Sequence, residues 1–216
     1  MAKGSLLGDP TLGSSPAQAK QQQSSASGGY ASYRPARLEL EDGSCFEGKA
    51  FGALRSVSGE VVFSTGMVGY PESLTDPSYC GQLMTLTYPL IGNYGVPRRD
   101  DDDPLCAGFE SAKIQAQALV IQNLSRDYSH WNAERSLDQW LTEEGVPGIT
   151  GVDVRALTKR LRNSGTLKGR LLIDGSPDRE EVANSPYQDP GKRNVVAEVS
   201  CQQPVLHRCG IEAAPR

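Results

Sequence analysis

A chain of 216 residues has room for one domain with a tail or for two small domains. With 38% hydrophobic and 22% charged residues it reads as soluble and globular, and a net charge of -4 excludes nucleic acid as a main partner, because phosphate binding needs a basic face. No apolar run approaches the roughly 20 residues needed to cross a bilayer, so no membrane role is expected. The cysteines Cys45, Cys80, Cys106, Cys201 and Cys209 include no CxxC pair. Their odd number, without a secretory signal, points to free thiols in a reducing compartment and to a cytoplasmic protein. Only His130 and His207 are present, which limits metal sites and acid–base relays from the outset.

Residues 1–34 are rich in Gly, Ser, Ala and Gln and carry too little apolar surface to offset their ordering entropy. They are expected to form a disordered low-complexity tail. A transit peptide, and so a mitochondrial location, is the alternative: Asp9 is the tail's one acidic residue, but an amphipathic basic pattern is missing.

Structure is expected from Arg37 onward. Leu38 and Leu40 on one side and Cys45-Phe46 on the other flank Asp42-Gly43, a two-residue hairpin signal. Glu60 to Thr65 and Gln82 to Tyr88 read as strands. Between them Pro71 suits the first position of a short helix, and Asp76-Pro77 suits a turn. A glycine-rich loop follows at Gly92-Asn93-Tyr94-Gly95. The charged run at residues 98–104 reads as a solvated loop rather than a cation site, since hard cations need ligands arranged around them. Ala118 to Ile121 gives another strand. Leu137, Trp140 and Leu141 recur at helical spacing, with Gly145 placed as a C-terminal stop. Asp153 is a good N-cap for a helix running to Arg162, where Gly165 stands just beyond a basic last turn. Leu167 to Ile173 reads as a final strand. The sum is an α/β domain with strands dominating its first half.

The chemistry these residues support is limited. No cysteine lies in a G-x-C-x-G turn, and nothing local pairs a cysteine with a histidine. No HExxH, Walker loop or strand-bound GxGxxG occurs, so no metal ligands, cofactor or catalytic residues are assigned. The basic cluster Lys159-Arg160-Arg162 reads as a solvated helix end. Taken on its residues alone, the chain is an interaction or scaffold module.

A family resemblance adds to this. The block Gly59-Glu60-Val61-Val62-Phe63-Ser64-Thr65-Gly66-Met67-Val68-Gly69-Tyr70-Pro71-Glu72 continues into Leu74-Thr75-Asp76-Pro77-Ser78-Tyr79 and then Thr87-Tyr88-Pro89-Leu90-Ile91-Gly92-Asn93-Tyr94-Gly95. It is preceded by Leu40-Glu41-Asp42-Gly43 and Phe46-Glu47-Gly48. It is followed by Gly151-Val152-Asp153, Arg155, Leu157-Thr158 and Ala197-Glu198-Val199-Ser200. In that order these blocks resemble the N-terminal domain of the glutamine-hydrolysing carbamoyl-phosphate synthetase small chain, over residues 37–200. The resemblance implies a three-layer β/β/α swivelling domain. It would occupy residues 35–200 and dock a class I amidotransferase domain on the large, ATP-using chain. The complete enzyme makes carbamoyl phosphate from glutamine, bicarbonate and ATP, for pyrimidine or for arginine and urea synthesis.

By the same resemblance Ser78 is similar to the serine that hydrogen-bonds the glutamine substrate from across the domain boundary. Its other reading is a turn residue whose hydroxyl holds only its own backbone. Departures from the family pattern also count. The chain has no G-x-C-x-G nucleophile and no His-x-Glu pair, and Val154 stands where the family usually has threonine. Residues 201–216 form an irregular end whose Val205 to Ile211 faintly resembles the first strand of an amidotransferase domain. The expectation is a chain inactive on its own, a truncated product contributing Ser78 to a larger enzyme. A free-standing protein-interaction module, or a truncated regulator competing for the large chain, is the alternative.

Overall fold

The structure, a computed structural model, describes residues 33–99 and 108–201. The expected tail up to residue 32, the aspartates at 100–103 and nearly all of the 201–216 end lie outside the described residues.

Pro35–Leu40 (β1) and Cys45–Gly52 (β2) form an antiparallel hairpin, followed by Val57–Ser64 (β3). The turn between β1 and β2 holds three residues rather than two. Leu40 pairs with Ser44 across it, and Gly43 occupies the left-handed region at φ 84°. Leu40 N–H donates to Ser44 O at 2.8 Å and Gly43 N–H to Leu40 O at 3.0 Å, which leaves the Asp42 carboxylate free to accept from Ser44. The short helix Tyr70–Thr75 (α1) places Pro71 second rather than first. A 3-10 turn, Pro77–Tyr79, leads into Gln82–Leu86 (β4), which stops two residues short of the expected strand, where Pro89 approaches and the donor row ends.

Two pairs of very short strands follow: Leu90–Ile91 (β5) with Asn123–Leu124 (β8), and Val96–Pro97 (β6) with Ala133–Arg135 (β9). Between them lies Ala118–Val120 (β7). Leu137–Glu143 (α2), Pro147–Thr150 (β10), Val154–Ser164 (α3) and Leu167–Ile173 (β11) complete the core elements. The long strands close into a seven-stranded barrel in the order β1-β11-β3-β4-β7-β10-β2, back to β1. Its β3-β4-β7-β10 wall is parallel and the remaining pairings are antiparallel.

The parallel wall is apolar on both faces, as strands covered on both sides must be. Ala118 and Val120 of β7 join the barrel interior with Leu38, Val61, Leu83, Ile149 and Leu171. Leu119 and Ile121 point the other way and pack with Leu74 of α1 and Leu137, Trp140 and Leu141 of α2. The interior core is completed by Val154, Leu157 and Leu161, spaced along one face of α3. Val154 is 1% exposed, so valine suits the site the family usually gives to threonine. The cap is untouched by that change: Asp153 accepts from Ala156 N–H at 2.9 Å. Gly148 of β10 admits the Phe51 ring, since a Cβ there would lie 2.5 Å from two of its atoms. The architecture is α/β with a strand-rich first half.

After β11 the chain runs as a strap through Arg179–Asn184 (α4), a 3-10 turn at Pro190–Lys192 and Val195–Val199 (α5). The outward Arg170 of β11 donates to the carbonyls of Ala183 and Ser185 and stacks on Tyr187, 4.0 Å from its ring centre. Gln188 N–H donates to Ser58 Oγ at 3.0 Å, and the Tyr187 hydroxyl to Leu40 O at 3.2 Å. Lys168 Nζ reaches Asp189 at 3.6 Å. These contacts carry the strap across β1, β11 and β3.

Candidate functional site

Ser78 sits at the centre of the 3-10 turn between α1 and β4, and it is exposed. The turn is built by its neighbours. Asp76 Oδ1 accepts from Ser78 N–H at 2.8 Å, Pro77 fixes the first φ of the turn, and Tyr79 N–H donates to Asp76 O at 3.0 Å. Among the described residues the Ser78 hydroxyl has no hydrogen-bond partner. The turn therefore does not use the hydroxyl for its own backbone. It holds the hydroxyl outward, with one donor and two lone pairs unspent.

The surrounding block is anchored on both sides. Thr75 Oγ1 donates to Pro71 O at 2.8 Å and accepts from Glu110 N–H at 2.9 Å, while Ser111 Oγ donates to Thr75 O at 2.6 Å. Past the turn, Cys80 Sγ lies 3.9 Å from Glu198 Oε2 of α5, and Arg193 Nε lies 3.6 Å from Glu198 Oε1. A Cβ on Gly81 would meet Arg193 and Pro190. The strap thus ends within a few residues of Ser78, a neighbourhood that sequence reasoning did not find, because residues 80 and 198 share no local pattern.

Tyr94, read only as part of a glycine-rich loop, has a structural role at the other end of α1. That helix has no side-chain N-cap of its own, and Gly69 precedes it at φ 84°. The Tyr94 hydroxyl accepts from Gly69 N–H at 2.8 Å and Tyr70 N–H at 3.0 Å, and its ring stacks on Tyr70 at 4.3 Å. Tyr70 in turn donates to Gly95 O at 2.5 Å. Burial pushes the phenol of Tyr70 far above its usual range, and that of Tyr94 upward, so both stay protonated. They brace the loop that carries α1 and the Ser78 turn.

Little points to a thiol nucleophile. Burial pushes the Cys45 thiol up, away from the thiolate form. The Cys80 thiol donates toward a carboxylate, the reverse of an activating cationic neighbour. Cys45, Cys80 and Cys201 are free, and no hydrogen bond joins any of them to His130 among the described residues. Among those residues no cluster of His, Cys, Asp or Glu could hold a metal ion, and no helix is long and apolar enough to cross a membrane. The basic cluster Lys159, Arg160 and Arg162 is exposed throughout, and Arg160 is tied to the Asp42 carboxylate at 2.7 Å.

The sequence blocks identify the chain's family. The family model for the carbamoyl-phosphate synthase small chain, CPSase domain, matches residues 38–171, and the chain belongs to that family. The multifunctional protein CAD of Squalus acanthias is 56% identical over 177 residues, covering 81% of this chain and 8% of that protein. The arginine-specific small chain of carbamoyl phosphate synthase from Yarrowia lipolytica is 51% identical over 176 residues, 81% of this chain and 39% of that one. The multifunctional protein ura1 of Schizosaccharomyces pombe is 45% identical over 216 residues, covering 92% of this chain and 9% of that protein. The chain spans only these fractions of its relatives' lengths. Among solved structures, an aminopeptidase from Aneurinibacillus sp. strain AM-1 covers 65% of this chain at a TM-score of 0.35 and 18% identity, a likeness too slight to bear on the fold.

Proposed function

We propose that this chain is the non-catalytic N-terminal domain of the glutamine-using part of a carbamoyl-phosphate synthetase. It docks a class I amidotransferase domain on the large ATP-using chain and lends Ser78 to the glutamine site. The pathway is carbamoyl phosphate formation from glutamine, bicarbonate and ATP, for pyrimidine or arginine synthesis. In this reading residues 35–200 are one functional domain, and its barrel with helices on either wall is the three-layer β/β/α swivelling arrangement of the family.

The observation that carries the proposal is the Ser78 turn. Asp76 and Pro77 fix its backbone, the hydroxyl is exposed and unspent, and the strap leads the chain past the same spot. The turn fixes the Ser78 backbone before any ligand arrives, so a hydrogen bond from the hydroxyl to a substrate amide or carboxylate has only the side-chain torsions left to order.

The test joins this chain to a family amidotransferase domain and pairs it with a large synthetase chain. Ser78→Ala should weaken glutamine use by one hydrogen bond, about 0.5–1.5 kcal/mol, or roughly 2- to 12-fold in kcat/KM. Synthesis from added ammonia, which bypasses the glutamine site, should be unchanged. Unaltered glutamine kinetics would return Ser78 to a purely structural role.

A further inference from the structure

Three of the four most exposed large apolar side chains among the described residues lie in the two segments that flank one cleft, the fourth being Val196 on α5. Met67 is 69% exposed, Val68 77% and Trp131 89%, and they come from two segments far apart in sequence, one leading into α1 and one preceding β9. Between these segments opens a cleft of about 540 Å³, lined among others by Val68, Glu72, Tyr94, His130 and Asn132. Tyr94, with one ring face on Tyr70, meets His130 edge-on at 6.4 Å, and His130 lies 5.6 Å from Trp131. An aromatic wall thus runs from the cleft to its rim.

The cleft also contains a charge without a mate. Glu72 is half-buried on the first turn of α1, and among the described residues it forms no ion pair. A carboxylate beside aromatic rings favours a cation, through Coulomb attraction and through the negative faces of the rings. The collar of Trp131, Met67 and Val68 favours apolar contact around that cation. Exposed Trp and Met around a pocket have the composition of protein interfaces, whereas single exposed apolar residues such as Val196 mean little. The volume suits one long side chain and part of its flanks.

We infer that this cleft receives an arginine or lysine side chain, flanked by apolar residues, from the large synthetase chain. The inference rests on the docking reading above and gives that contact a location and a chemistry. The basic stem would lie along the Tyr94–His130 wall with its charged head at Glu72, and the flanking apolar residues would cover Trp131, Met67 and Val68.

The experiment measures binding of the full chain to a purified large synthetase chain by calorimetry, at two salt concentrations. Glu72→Gln removes the charge at constant shape, and Trp131→Ala removes an exposed ring. Neither touches the buried core, and circular dichroism confirms that each variant is folded. Each should weaken binding at least tenfold, and Glu72→Gln should also flatten the salt dependence. Val196→Ala, an exposed apolar change elsewhere, should leave binding unaltered. If Glu72→Gln binds like the unaltered chain, the occupant is not basic and the inference falls, while the docking reading stands. If the unaltered chain fails to bind at tens of micromolar, the docking reading falls and takes this inference with it.

Discussion

The Asp42 carboxylate accepts from both the backbone and the hydroxyl of Ser44, at 2.9 and 2.5 Å, and pairs with Arg160 at 2.7 Å. The Ser44 bonds chiefly, and then Arg160, lower its pKa to about 2. An unfolded aspartate titrates near 3.9. Because the folded value is the lower one, the stabilisation is complete above about pH 4 and is lost as the pH falls toward 2. The residue is exposed, so the effect is small and screened by salt. Melting curves should show Asp42→Asn less stable than the native chain at pH 6, with the gap closing between pH 4 and 2. A gap independent of pH would mean that the charge is not involved. Thr85 of β4 poses the opposite case. It is fully buried, and its hydroxyl has no hydrogen-bond partner. Thr85→Val replaces that hydroxyl by a methyl of similar size and should raise stability by about 1 kcal/mol in urea titrations. A loss instead would reveal a water or a partner holding the hydroxyl.

The helix α2 shows how far local sequence determines an element. Ser136 accepts from Gln139 N–H at 3.2 Å while Gln139 Oε1 accepts from Ser136 N–H at 3.1 Å, a complete capping box. At the other end Val146 N–H donates to Leu141 O and Gly145 N–H to Thr142 O, with Gly145 at φ 71°. This is the Schellman stop that the Leu137, Trp140, Leu141 and Gly145 pattern foretells. Ser136→Ala should cost about 1 kcal/mol, read as a shift in the urea midpoint at constant slope. The longer elements were legible in the same way: α3 through Asp153 and its spaced Val154, Leu157 and Leu161, β11 through its apolar run, and α1 through Pro71. The two- and three-residue strands β5, β6, β8 and β9 were not, since so few residues carry no periodicity and their pairing depends on segments about 30 to 40 residues away. The Asp42-Gly43 signal located its turn but not its length, because either loop places glycine in the left-handed region. At the candidate site the Asp76-Pro77-Ser78 turn was legible. The strap beside it was not, for its contacts are made by single side chains with no repeat.

At the scale of the whole molecule, barrel closure depends on β11, which sits between β1 and β3 and pairs with both. The apolar faces of seven strands and of α3 meet only when residues near 36 and near 172 come together, so the interior core forms as a unit. Cys80 donates toward a carboxylate and burial pushes the Cys45 thiol up, whereas hydrolysis of an amide through a thioester needs an activated cysteine. The purified chain should release no ammonia from glutamine above a buffer blank. Release that is abolished by substituting one of its five cysteines would overturn that expectation. The strap has a further consequence. Because Arg170 holds Tyr187, Ser58 holds Gln188 and Cys80 meets Glu198, the strap brings Glu198 to a fixed address beside the residue pair that follows Ser78. Anything joined there by a short linker would face Ser78 at an effective concentration on the order of millimolar, whatever its intrinsic affinity. A weak, quickly exchanging contact across that boundary would then be enough to keep the two joined parts in register, and loosening the strap would dilute one against the other.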